Sequence, residues 1–253
     1  MKEARKEAED RIEGKNAVME ALKAGRPIDK IYLAKGEKDS TLDFIARKAR
    51  AAGAVISETD RRKLDAMSVT HAHQGVIAVA ALREYDTVEH MLERAAAAGQ
   101  PPLLVVCDEI TDPHNLGAII RSAECVGAHG VIIPRHRSAG MTAVVEKTSA
   151  GAVEHMAVAR VTNLASELDK LKKQGLWIYG TAAEGDRSLW TADFREGAVI
   201  VIGSEGEGMS RLVREKCDFL VSIPIFGRVT SLNASAAASV VLYEAIRQRT
   251  AKG

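Results

Sequence analysis

From Leu103 onward the chain carries short, nearly unbroken apolar runs: Leu103-Leu104-Val105-Val106-Cys107, Gly130-Val131-Ile132-Ile133, Met156-Ala157-Val158-Ala159, Leu176-Trp177-Ile178-Tyr179, Ala198 to Ile202, and Phe219-Leu220-Val221-Ser222-Ile223. Helical stretches separate most of them. Apolar runs without alternation predict strands buried on both faces, and strands that alternate with helices predict a parallel sheet covered on both sides. The fold class is therefore α/β, with a mostly parallel sheet. Ligands of such sheets sit at the carboxyl ends of the strands, so the loops that follow the strands are where chemistry is to be sought.

The preceding segment, residues 12–80, has a different rhythm. Lys30-Ile31-Tyr32-Leu33, helical Leu42 to Ala52, Ala54-Val55-Ile56 and Gly75 to Ala80 read as a small α/β module of its own. Residues 1–11 are almost all charged or alanine and predict an extension without a packed core. Residues 81–101 form the expected linker; they hold Arg83-Glu84-Tyr85-Asp86, a helical Val88 to Ala98 and the breaker Gly99-Gln100-Pro101-Pro102. The large domain then covers 102–249, with a tail at 250–253.

Bulk properties narrow the classes. With 253 residues and 46% hydrophobic side chains the chain supports a real core. No apolar run reaches the roughly 18 residues of a membrane span, and the charged start is unlike a secretory signal, so a cytoplasmic protein without a membrane partner is expected. Cys107, Cys125 and Cys217 are scattered without a C-x-x-C pair and are expected to be buried thiols. The pair His71-x-His73 lacks a third ligand at sensible spacing, so no metal is expected. A net charge of +1 means that a nucleic-acid partner would be held by local basic patches.

Three loops after strands carry candidate chemistry. The first, Asp108 to Glu124, contains the turn Asp112-Pro113 and Asn115, a natural N-cap, followed by the buried stripe Leu116, Ile119, Ile120 and Ala123. Arg121 lies about 100° off that stripe, where it is either a solvated surface arginine or an RNA contact. The second is Gly203-Ser204-Glu205-Gly206-Glu207-Gly208-Met209. Phosphate-cradling loops offer bare backbone N–H groups, and two carboxylates would repel a pyrophosphate; a cationic or neutral ligand fits better, and S-adenosylmethionine, with a sulfonium and an amino group, meets that demand. An ordinary tight strand-to-helix turn would use the same glycines. The third loop, Ile223 to Asn233, leads into a helix with Ala237, Val240, Val241 and Ala245 facing inward; Ser231 and Asn233 are each natural N-caps whose remaining atoms could still face a ligand.

Taken together, Asp112-Pro113-His114-Asn115-Leu116-Gly117 with Arg121, then Gly203-Ser204-Glu205-Gly206, then Ser231-Leu232-Asn233 resemble the three signature motifs of the SpoU/TrmH class of SPOUT RNA 2′-O-ribose methyltransferases. Gly14 to Leu22 and His73-Gln74-Gly75-Val76 are similar to the small ribosomal-protein-like substrate domain of the bacterial large-subunit rRNA guanosine-2′-O-methyltransferases in that class. The resemblance spans about residues 12–249. It implies a deep trefoil knot in the C-terminal domain, bound S-adenosylmethionine as co-substrate and an obligate homodimer. It also implies that Gly203, Ile223 and Leu232 contact the methyl donor while Glu205 and Gly206 shape its pocket, and that Asn115, Arg121, Glu205, Ser231 and Asn233 serve catalysis. Phe226 and Arg228 depart from the pattern beside Gly227, which bears on the local fit of donor or RNA.

No histidine is evidently placed to take the proton of a ribose hydroxyl, since His114 fits a turn role, and a guanidinium is a poor base with a pKa above about 12. Arg121 is instead expected to grip a substrate phosphate. Further RNA contacts are expected from Arg135 and Arg137 in the loop Pro134 to Ser138, with Arg211, Arg214 and Lys147 as possible additions. Ribosomal RNA is the expected partner, with tRNA as the alternative. A non-catalytic RNA-binding or ribosome-assembly protein of the same fold stays open; a nucleotide-dependent oxidoreductase is disfavoured by the acidic glycine loop. The alanine-rich helix after Asn233 is a candidate dimer face or an internal packing element.

Overall fold

In a computed structural model of the protein, residues 11–36, 39–81 and 83–251 are described. The expectations for residues 1–10, and for the last two residues of the 250–253 tail, lie outside them. The chain divides into two units, residues 1–84 with 140–144, and residues 85–139 with 145–253.

In the first unit the strands β1 (Arg11–Glu13), β2 (Ile28–Ala34), β3 (Val55–Thr59) and β4 (Val76–Ala80) form a mixed sheet in the order β1-β4-β2-β3, antiparallel except for the β2–β3 pair. Period two along β4 sends Val76 and Ala78 into one cluster with Val18, Ile31 and Ile45, and Ile77 into another with Ala34 and Leu64. These clusters are supplied by α1 (Lys15–Lys23), α2 (Ser40–Ala51) and α3 (Arg61–Met67). Helix α2 starts two residues before the predicted Leu42 because Asp39 accepts bonds from the Thr41 and Leu42 amides at 2.8 and 3.3 Å. His73, half of the His-x-His pair, is buried; its ring bonds Asp65 at 2.9 Å and accepts the Gly75 amide at 3.0 Å, so it serves packing and turn closure.

In the second unit seven strands form one fully parallel sheet: β5 (Leu103–Cys107), β6 (Gly130–Pro134), β7 (Val158–Val161), β8 (Trp177–Thr181), β9 (Arg187–Ser188), β10 (Ala198–Ile202) and β11 (Phe219–Ser222), in the order β7-β6-β5-β10-β8-β11-β9. Every residue of β5 and β10 is buried, as their unbroken apolar runs require. One face packs Leu104, Val106, Ile132, Val199 and Val201 against α4 (Val88–Ala97) and α7 (Leu164–Lys173). Thus the helix within residues 81–101 belongs to this unit's core through Val88, Met91 and Ala95. The remaining helices are α5 (Pro113–Cys125), α6 (Ala143–Thr148), α8 (Arg211–Arg214) and α9 (Ala234–Thr250).

Several boundaries move for identifiable reasons. β7 begins at Val158 rather than Met156, because the Met156 amide closes a turn onto the Ala152 carbonyl at 3.0 Å. β8 begins after Leu176, whose amide bonds back to Leu171 at the end of α7. The buried positions of α9 are Ala234, Ala238, Val241, Leu242, Glu244 and Ala245; the expected Ala237 and Val240 are only half-buried, and Ala237 stands on the lining of a pocket instead. Cys107 is buried, with burial as the main cause pushing its thiol up to about 12, whereas Cys217 is half-buried and Cys125 is exposed, so the expectation of three buried thiols holds for Cys107 alone. Among the described residues no helix is long and apolar enough to cross a membrane.

Candidate ligand pocket at the carboxyl ends of the sheet

The site is assembled by the loops that leave β5, β8, β10 and β11. Where β5 ends, buried Asp108 ties two of them together: its amide donates to the Ile202 carbonyl at 2.8 Å and its carboxylate accepts the Ser210 amide at 2.7 Å. The loop in between is closed by reciprocal backbone bonds between Ser204 and Gly208, at 2.9 and 3.0 Å. A Cβ at Gly203 would lie 2.3 Å from the Gly208 carbonyl carbon, and Gly208 has φ +69°, so this closure demands glycine at both positions. Glu205, Gly206 and Glu207 are left at the exposed tip.

The role expected of Asn115 as N-cap falls to Asp112, whose carboxylate accepts the His114 amide at 2.8 Å with Pro113 in the first helical position. Asn115 therefore sits inside the first turn of α5 with its amide free to act elsewhere. Its Nδ2 donates to Glu205 Oε1 at 3.0 Å, and its Oδ1 accepts from Asn233 Nδ2 at 2.9 Å. Asn233 Nδ2 also donates to Glu205 Oε1, which takes a third bond from the Ala234 amide at 3.2 Å. Meanwhile Asn233 Oδ1 caps α9 by accepting the Ser235 and Ala236 amides at 3.0 and 3.3 Å. Three residues spread over more than a hundred positions thus form one closed amide–carboxylate cluster.

Beside this cluster opens a pocket of about 500 Å³. All five residues expected to hold a ligand line it: Gly203, Glu205, Gly206, Ile223 and Leu232. So does Ser231, which is exposed and leaves the capping of α9 to Asn233. Arg121, on the same helix as Asn115, is exposed, is not part of the lining, and makes no hydrogen bond or ion pair among the described residues. Arg135 and Arg137 stand after β6, also outside the lining. Arg137 donates to Glu109 at 2.8 Å, and that bond raises its guanidinium pKa above the ordinary value. Phe226 is 96% exposed and, like Arg228, does not line the pocket, so its bulk does not narrow it. His114 lies against its neighbour Asp112 at 3.1 Å and is exposed, in keeping with a turn role.

Residues 181–184, Met209, Arg214, Ile225 and Thr230 also line the pocket without having been singled out for it. Those at 181–184 follow β8, and the rule that ligands gather at strand ends was enough to find them once β8 was placed next to β10. Among the described residues no group of three or more His, Cys, Asp or Glu side chains could hold a metal ion.

A fully parallel sheet with a pocket at its carboxyl edge, lined by a glycine-carboxylate loop whose Glu205 is held by two asparagines, defines an α/β protein with a site for a small ligand there. The chain belongs to the SpoU rRNA methylase family: the model of that family matches residues 102–243, and the model of the RNA 2′-O ribose methyltransferase substrate-binding domain matches residues 11–86. It is thereby an RNA methyltransferase of the SpoU/TrmH type. A Bacillus subtilis protein named as a TrmH family tRNA/rRNA methyltransferase, YacO, is 45% identical over 244 residues, covering 96% of this chain and 98% of that one. A Staphylococcus aureus protein of the same description is 42% identical over 238 residues, with 94% and 96% covered. Among solved structures, the SpoU methyltransferase AviRb of Streptomyces viridochromogenes in complex with the cofactor AdoMet is similar at a TM-score of 0.62 and 27% identity, covering 96% of this chain and 91% of that one. A crystal structure described as an RNA 2′-O ribose methyltransferase is similar at 0.55 and 26%, with 98% and 96% covered.

Proposed function

We propose that the protein transfers the methyl group of S-adenosylmethionine to a ribose 2′-hydroxyl of RNA, and that the target is a guanosine of large-subunit ribosomal RNA. The observation that carries this reading is the pocket itself, which abuts the Asn115–Glu205–Asn233 cluster. Its ionisable lining is three carboxylates, Glu184, Glu205 and Glu207, against one guanidinium, Arg214. That donor set fits a ligand bearing a sulfonium and an ammonium group, and it repels a pyrophosphate. Ile223, Ile225 and Leu232 give the apolar wall that an adenosyl group needs. The AdoMet complex of AviRb supports the same assignment.

When bound, S-adenosylmethionine supplies an electrophilic methyl group on a sulfonium. The residues of the chain then have to align and hold rather than react. Correct alignment of two reactants lowers a barrier by about 7–11 kcal/mol. The Glu205 cluster fixes the mouth of the pocket, and Ser231 stands on its lining with a free hydroxyl. Arg121, unpaired and exposed, grips the phosphate next to the target ribose and orients its hydroxyl, whose proton passes to that phosphate or to water. A guanidinium does this through a planar fork that lysine lacks, so Arg121→Lys should lose most activity.

Ribosomal RNA is favoured over tRNA by the N-terminal unit and by the name of the matching family; the relatives named tRNA/rRNA methyltransferase support either. Arg135 and Arg137 are assigned to RNA docking, which predicts affinity that falls with salt. The same reading includes action in the cytoplasm as a homodimer, with α9 as candidate interface, and a trefoil knot formed by the segments that carry Gly203 and Asn233. The test is direct: titrate the protein with S-adenosylmethionine by calorimetry, then map 2′-O-methyl groups on ribosomal and transfer RNA from cells with and without it. Donor binding and a missing rRNA methyl are expected. No donor binding would make it a scaffold, and a missing tRNA methyl would reassign the substrate.

A further inference from the structure

We propose that Arg214 is the residue that recognises the carboxylate of the methyl donor's amino-acid tail. This rests on the donor assignment above and adds a specific partner for one end of the ligand. The pocket lining holds four ionisable side chains, and one of these, Glu205, is already committed to Asn115, Asn233 and the Ala234 amide. Glu184, Glu207 and Arg214 are left. Among the described residues they form no ion pair, although all three line the same pocket and neighbouring Arg211 does pair with Glu215 at 3.5 Å. Opposite charges held around one cavity without pairing leave both signs available to a ligand.

S-adenosylmethionine at neutral pH presents two positive groups and one carboxylate. Two spare carboxylates complement the positive groups, and Arg214 is the one cationic side chain of the lining that can take the negative one. Its backbone is well anchored for this task. The Ser210 amide that precedes α8 is held by Asp108 at 2.7 Å, the Arg214 amide closes onto the Ser210 carbonyl at 2.9 Å, and Val213 next to it is buried. The base of the side chain is fixed while the guanidinium is exposed. A guanidinium grips a carboxylate through two parallel N–H donors, which a point charge cannot reproduce. This places Arg214 in the donor pocket, and not among the RNA contacts for which its charge alone had made it a candidate.

Calorimetry with S-adenosylmethionine and with decarboxylated S-adenosylmethionine tests the assignment, because the second ligand keeps the sulfonium and the amine and lacks only the carboxylate. The wild-type protein should bind the complete donor about tenfold more tightly, the scale of one charge-assisted contact. Arg214→Gln should bind both ligands at the weaker level, and Arg214→Lys should fall between, with thermal unfolding confirming that the variants are folded. Equal affinity of the wild-type protein for the two ligands would overturn the proposal. So would a parallel loss for both ligands in Arg214→Gln, or a loss confined to RNA binding. Failure of the wild-type protein to bind either ligand would instead overturn the donor assignment on which the proposal rests.

Discussion

Asn233 performs two tasks with two different atoms, and substitutions can separate them. Its Oδ1 caps α9, while its Nδ2 joins Asn115 Oδ1 at 2.9 Å and Glu205 Oε1. Asn233→Ser keeps a capping oxygen and loses both bridging bonds. At about 0.5 kcal/mol each, the low end appropriate to an exposed cluster, the loss is about 1 kcal/mol. Asn233→Ala loses the cap as well, worth another ~1 kcal/mol, for about 2 kcal/mol in all. Asn233→Asp retains the cap but turns a donor into an acceptor facing the Asn115 carbonyl and the Glu205 carboxylate, so it breaks the cluster by repulsion. Both tryptophans of the chain, Trp177 and Trp190, lie in the same unit as Asn233, so their fluorescence during thermal unfolding reports on the right part of the molecule. Methyl transfer to RNA is measured alongside. The expected result is loss of transfer in all three variants, with Ser measurably more stable than Ala. Full activity in Asn233→Ser would refute the functional role of the cluster, and equal stability of Ser and Ala would refute the cap.

Two further perturbations probe the scaffold. Glu13 is held by hydrogen bonds from Ser68 and Thr70 and the Val69 and Thr70 amides; although burial, the largest single influence, opposes ionisation, the bonds together bring its carboxyl from 4.5 down to about 2. A carboxyl depressed in the folded state contributes stability that is complete above its ordinary value and lost as pH falls from about 4.5 towards about 2. Melting followed by circular dichroism across that window should therefore show a steeper acid loss for the wild-type protein than for Glu13→Gln, and identical slopes would refute the network. At Gly117 in α5 an added Cβ would lie 2.8 Å from the Val145 carbonyl oxygen and from Thr148 Cβ, so Gly117→Ala should cost about 1–3 kcal/mol by overpacking, despite its better helix propensity, and a raised melting temperature would contradict that contact.

Much of this molecule is legible in the order of its residues. Apolar runs without alternation pointed to buried parallel strands, and β5 and β10 appear at the residues expected because five apolar, largely β-branched side chains bounded by turn residues suit a strand covered on both faces. The glycines of the 203–208 loop and the three motifs were equally plain. Shorter pieces, β1, β9 and α3, are not legible there because two to seven residues are too few for a period to emerge.

What one-dimensional reasoning could not decide was which of several competent residues takes which task. Asp112 and Asn115 both suit an N-cap, as do Ser231 and Asn233, and only the geometry of each helix start assigns the cap to Asp112 and Asn233. That choice frees Asn115, and it turns Asn233 so that one side chain serves helix and cluster together. Partnership across the sheet is likewise invisible in sequence, since hydrogen bonds between Asn115, Glu205 and Asn233 depend on β5 lying beside β10. Local propensity fixes the elements because its cause is local. The pocket belongs to the tertiary structure because strand order, which no nearby residue encodes, determines whose loops meet.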